Sequence, residues 1–286
     1  MPLDQDPHDY HEEKEMSFLD HLEELRWHVV RSVMAILVFM IAAFIAGPWI
    51  FENIIFAPTN SDFPTFRWLC KLGDLTGAKE SLCIDKINFK LQSRQMTGQF
   101  TMHFTAAFVI GLIIAFPYVF WEIWRFIKPG LYKKERKFSK GAVFFVSLLF
   151  LIGVLFGYFV MVPMSVWFFS SYSISDKISN EFDITSYVQT IVALVFGSGF
   201  LFQLPMVAYF LSKIGMLTPQ FMRQYRKHAV VVIVVVGAII TPPDPLSQML
   251  ISLPIYLLYE ISIFISGMVQ REREKDEAAE LKQSTT

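Results

Sequence analysis

The sequence predicts an all-α membrane protein with six transmembrane helices. Two observations carry that reading. First, 53% of the 286 residues are hydrophobic, above the roughly 45–50% of soluble domains. They fall into long blocks nearly free of charge, with short charged segments between them. Second, Lys and Arg concentrate in alternate segments, as the positive-inside bias requires.

The elements follow in chain order. Residues 1–16 are polar and acid-rich, unlike the basic start and short apolar core of a cleavable leader. They read as a polar tail, and the first apolar block as a retained anchor. A span needs about 20 apolar residues, because the hydrocarbon is ~30 Å thick and a helix rises ~1.5 Å per residue. Residues 27–49 qualify, with one charge, Arg31, near the start; 100–120 hold His103; 141–162 carry no charge; 187–212 hold Gln189 and Gln203; 249–269 carry Glu260. Residues 228–240 form a shorter block dense in Val and Ile. A buried or re-entrant segment would fit that length. A short span is the preferred reading, because the turn TPPDP follows and another apolar run begins at Met249. Two short helices at that turn would thin the bilayer locally. Residues 270–286 read as a charged, solvated tail, a frayed helix or disordered. The membrane domain is thus 17–269.

Loop charge sets the orientation. Seven Lys and Arg lie between Trp121 and Lys140 and four between Lys213 and Lys227, whereas residues 163–186 hold only Lys177 and 241–248 none. Both termini and the first two of these segments are therefore expected on the cytoplasmic side. The loop 52–99 disagrees, with six basic residues, but it is long and five acids accompany them; long loops obey the bias weakly. Its Cys70 and Cys83 are the only cysteines. Facing an oxidising compartment they would form a disulfide closing an external cap; two unrelated thiols are the alternative.

Little in the chain suggests a reaction. There is no GxGxxG, P-loop, HExxH, CxxC or GxSxG, no His pair at metal spacing, and a net charge of -1 that gives no reason to expect nucleic acid. No cofactor is expected. The informative residues are polar groups where polarity is costly. The segment 17–26 reads as an amphipathic helix: Ser17 and Asp20 resemble a capping box, Phe18, Leu22 and Leu25 share one face, and His21 and Glu24 sit beside that stripe. It suits either an interfacial anchor or a docking surface for a peptide carrying arginines and an apolar run. In the segment 121–136, Glu135 is an acid among basic residues. Gln203 suits an interhelical hydrogen bond. Glu260 is a candidate functional acid at membrane depth, to be paired with a base or kept protonated. Asp244 and Gln248 read as capping or interface groups.

Together the motifs resemble the TatC family of twin-arginine translocases: FLDHLEELR at 18–26, FAP at 56–58, FPYVFWEIWRFIKPGLYKKER at 116–136, LIGVLFGYFVMVP at 151–163, GFLFQLP at 199–205, and TPPDPLSQ with LPIYLLYE to 260. The resemblance implies a glove-like six-helix bundle with its last two spans short. It implies a non-enzymatic receptor in the bacterial cytoplasmic (inner) membrane that binds paired-arginine signal peptides of folded proteins. It also implies export driven by the proton gradient, small single-span TatA or TatB partners, and a homo-oligomeric complex. His21, Glu24, Arg26, Phe126 and Glu135 would hold the peptide, and Thr241 and Gln248 would dock partners. Gln203 stands where many relatives have Glu, so a proton-titrating role fails there and a hydrogen-bonding role survives. A proton-coupled transporter of a small solute, using Glu260, is the alternative; the absence of an inverted repeat counts against it.

Overall fold

A computed structural model of the chain describes residues 18–77, 83–84, 87, 90–127, 139–175, 177–241 and 245–284. Among them, five segments are long and apolar enough to cross a bilayer: Glu23–Ile45, Gly98–Ile127, Gly141–Ser171, Ile184–Lys213 and Ser247–Lys275. The helices that build them are α1 (Phe18–Ile45), α4 (Gly98–Ile127), α5 (Ser139–Phe156) with α6 (Val162–Ser171), α7 (Ile184–Leu201) with α8 (Leu204–Lys213), and α11 (Pro245–Ser284). The expected short block is α10, Arg226–Ile240, whose 15 residues give about 22 Å. Short helices α2 (Gly47–Ile50), α3 (Pro64–Thr76) and α9 (Pro219–Gln224) complete the helical set. Exposed apolar side chains cover the outside, among them Val30, Met34, Val38 and Ile41 on α1 and Val231, Val235 and Ile239 on α10. Only lipid solvates so continuous an apolar surface.

Three boundaries differ from the sequence expectation, each for a physical reason. The span expected at 187–212 is two helices, broken at residues 202–203, because Pro205 in the first turn of α8 has no N–H to continue the ladder. Of the two forms open for the tail beyond residue 269, helix or disorder, the helix is the one present: α11 runs to Ser284. Charged side chains of good helix propensity prolong the helix into water, as in the bond from Gln270 Nε2 to Glu274 Oε1, 2.9 Å. The expectation of helices alone also missed a parallel strand pair, β1 (Lys90–Gln92) on β2 (Glu181–Asp183), with Lys90 opposite Glu181 and Gln92 opposite Asp183.

Close approach between helices sets the core. A Cβ on Gly157 would stand 2.7 Å from the Val195 backbone, and one on Gly153 2.6 Å from the Ser198 carbonyl. This small-residue face lets α5 lie directly on α7. Phe150, fully buried, stacks on Phe116 of α4 with centroids 3.6 Å apart. By contrast α1 packs chiefly along α4 and leaves its other faces bare.

Several bends share one device. Proline cannot donate to the carbonyl four residues before it, and here a side chain from a distant segment donates instead. The Phe44 carbonyl, four before Pro48, accepts from His103 Nε2 at 2.9 Å. The Ile54 carbonyl, four before Pro58, accepts from the Tyr158 hydroxyl at 2.8 Å. The Phe159 carbonyl, four before Pro163, accepts from the Thr65 hydroxyl. Gly47 makes the first of these possible, because a Cβ there would collide with the His103 ring.

Candidate functional site

The two ends of the bundle carry different chemistry. At one end α3 is held by a disulfide between Cys70 and Cys83, 13 residues apart in sequence. Beside it the Asp183 carboxylate caps α7, accepting from the Thr185 N–H at 2.8 Å and the Arg94 N–H at 3.0 Å. The neighbouring Thr185 side chain, then these two N–H groups, hold that carboxyl below the usual range.

At the opposite end, the start of α1 meets the end of α4. Glu122 on α4 is 1% exposed, and a buried carboxylate needs partners. His28 Nδ1 supplies one, and the Tyr118 hydroxyl donates the other at 2.9 Å. His28 also meets Phe126 edge-on, with centroids 6.1 Å apart. Around this pair Glu24, Trp27, His28, Arg31 and Arg125 line a polar cavity of about 490 Å³. An apolar groove of about 400 Å³, lined by Trp27, Val30, Arg31, Met34, Ala35, Val38, Phe39 and Tyr118, continues from it along α1.

The structure thus gathers Glu24 and Phe126 around His28, although they are a hundred residues apart in sequence. Arg26 stays outside the cavity, with an exposed ion pair to Glu23 at 3.6 Å and its guanidinium 5.6 Å over the Trp27 ring. The His21 side chain and Glu135 lie outside the described residues. Sequence reasoning missed Glu122, His28 and Tyr118. The span was closed at Phe120, which counted Glu122 as loop; the available signal was an acid inside the aromatic run FWEIW, one helical turn after Tyr118.

The remaining expected residues lie elsewhere. Gln203 sits at the break before α8, where its Nε2 donates to the Val146 carbonyl at 3.1 Å and its buried Oε1 has no partner among the described residues. Glu260 is ion-paired, with Arg226 Nη2 at 2.7 Å and the Tyr256 hydroxyl at 3.2 Å; of the two options open from sequence, the base is the one present. Thr241 is buried, its hydroxyl turned back onto the Gly237 carbonyl at 2.9 Å. Gln248 is half-buried and donates to the Val234 carbonyl at 3.3 Å. Thr241 thus closes the end of α10, and Gln248 ties the start of α11 to it. No metal-type cluster forms among the described residues.

Apolar helices of spanning length, joined into one bundle, define a multi-pass membrane protein. The family described as Sec-independent protein translocase protein (TatC) matches residues 20–254. The chain belongs to the TatC family, whose members are non-enzymatic components of protein translocation. It is 38% identical to the Sec-independent protein translocase protein TatC of Blattabacterium, over 92% of this chain and 99% of that one. With TatCy of Bacillus subtilis it shares 32% identity over 93% of this chain and 94% of the relative. A crystal structure of the twin arginine translocase receptor TatC superposes with a TM-score of 0.67 at 29% identity, covering 87% of this chain and 99% of that one.

Proposed function

We propose that this chain is the receptor of a twin-arginine translocase, and that it captures paired-arginine signal peptides at the α1–α4 end of the bundle. The observation that carries this is the convergence of Glu24 and Phe126 on the His28 edge of one cavity. An exposed carboxylate beside an aromatic surface is what adjacent guanidiniums followed by an apolar run require. Glu24 is the described acid in that role, Glu135 its counterpart from the next segment, with His21 and Arg26 on the same approach.

In this reading the chain makes six spans, α10 being the short fifth, in the bacterial cytoplasmic membrane. The α1–α4 end then faces the cytoplasm and the disulfide-tied cap lies outside. TatA- or TatB-like single-span partners dock at the α10–α11 turn near Thr241 and Gln248, several copies assemble, and the proton gradient drives export. The small-solute transporter is disfavoured, because the acid it would use, Glu260, is already committed to Arg226 and Tyr256.

The test is a photo-crosslinker at Leu25 and a synthetic paired-arginine signal peptide. Crosslinking should fall by about tenfold in Glu24→Ala and again in Glu24→Ala/Glu135→Ala, each acid being worth roughly one charge-assisted contact. Equal labelling by a paired-lysine peptide, or undiminished labelling of the double variant, overturns the assignment.

A further inference from the structure

One charged residue lies in an apolar span without a place in the reading above. Arg31 is a full turn past Trp27, on an exposed face of α1, and shares both the polar cavity and the apolar groove with Trp27. Arg125 reaches the same cavity from the last turn of α4 and lies 5.7 Å over the Trp121 ring. Neither guanidinium has an ion pair among the described residues. The buried acid near them, Glu122, is already held by His28 and Tyr118. Two guanidiniums without an ion pair among the described residues, at the edge of apolar spans, are costly unless an anion meets them.

The groove says what kind of anion. From Trp27 to Phe39 it runs twelve residues along α1, about 18 Å, close to the ~15 Å depth of one hydrocarbon leaflet. Below the two arginines its lining is Val30, Met34, Ala35, Val38 and Phe39. A guanidinium pair at the interface above an apolar channel of leaflet depth complements one molecule: a phosphate carrying an acyl chain. A basic pocket between helices at the membrane surface is the usual form of a phospholipid headgroup site. Arg31 and Arg125 favour an anion, while Glu24 on the same cavity is the group left for a cation.

We propose that the α1–α4 groove is a specific site for an anionic phospholipid, its headgroup on Arg31 and Arg125 and one acyl chain along Met34, Ala35 and Val38. This stands independently of the peptide-site reading, and its test uses no peptide in the binding step. Glu24, which lines the same cavity, takes no part in the lipid contact.

The experiment is native mass spectrometry of the full chain released from detergent micelles supplemented with equal amounts of phosphatidylglycerol and phosphatidylcholine. The wild-type chain should retain one phosphatidylglycerol in preference to phosphatidylcholine. Retention should fall about thirtyfold in Arg31→Gln/Arg125→Gln, two interfacial charges being removed, and should return in Arg31→Lys/Arg125→Lys. Val38→Trp, which fills the groove without touching a charge, should also lower it. That variant carries the test if the glutamine pair does not fold. Equal retention of the two lipids, unchanged retention in Val38→Trp, or displacement by inorganic phosphate at matched concentration overturns the proposal.

Discussion

The two ends of this bundle solve the same problem in opposite ways. At the cap end, the groups that hold the fold find their partners within the chain: Tyr158 and Tyr187 donate to the Ile54 and Ile55 carbonyls, the Asp183 carboxylate accepts from two N–H groups, strands pair, and a disulfide ties Cys70 to Cys83. At the α1–α4 end, one buried carboxylate is satisfied while Glu24, Arg31 and Arg125 stay exposed around a cavity. The first arrangement fixes a shape. The second keeps charge in reserve for a ligand, at a cost the rest of the fold must offset.

The sharpest way to break this contrast is at Glu122. Replacing His28 by Ala removes one partner of a buried carboxylate, a change of about 3 kcal/mol. Thermal unfolding in detergent should show that loss, with hydrogen exchange rising in the first turns of α1 and not in α3; equal exchange at both ends would mean they are not separate units. Reducing the Cys70–Cys83 bridge should do the converse. Opening a loop of that length frees chain entropy worth about 3 kcal/mol locally, so α3 should exchange faster while peptide crosslinking near Leu25 persists. Before reduction neither thiol should alkylate. A smaller effect is expected from Tyr158→Phe, which orphans the Ile54 carbonyl and should cost about 1 kcal/mol, read as a lower midpoint in the same thermal assay.

The smallest effect is pH-dependent. The Asp183 carboxyl titrates below its ordinary value of about 3.9. A depressed folded value contributes stability that is present above the unfolded value and lost as pH falls through the folded one. Exchange at the start of α7 should therefore rise only below about pH 4, and Asp183→Asn should remove that dependence. Acid sensitivity unchanged in the variant would assign the effect to another group.

Hydropathy located the spans but not the helices. It finds residues that lie in lipid, and α4 and α11 both outrun the lipid: α4 reaches Ile127, where the apolar block stops at Phe120, and α11 reaches Ser284. That is why Glu122 was counted as loop. Its partner His28 lies 94 residues away, beyond any local periodicity. The strand pair was illegible for a similar reason, because three residues give no alternation to read and the partner is some ninety residues on. The cysteines were legible from number and confinement to one loop. Glu24 and Phe126 as site residues came from resemblance, and only the fold brings both to His28.

The proline bends have a bearing on how the protein is made. In α1 the Phe44 carbonyl waits for His103, which belongs to the next long helix to be synthesised. Until that helix enters the membrane, the C-terminal end of α1 holds a bare acceptor in a medium with few donors, a situation that favours early departure from lipid. Tyr158 does the same later for the Ile54 carbonyl, whereas at Pro163 the donor, Thr65, has already been made. A nascent chain halted after Ile45 should accordingly extract from membranes more readily than one halted after Ile127. The order of synthesis is, in that sense, written into where the prolines fall.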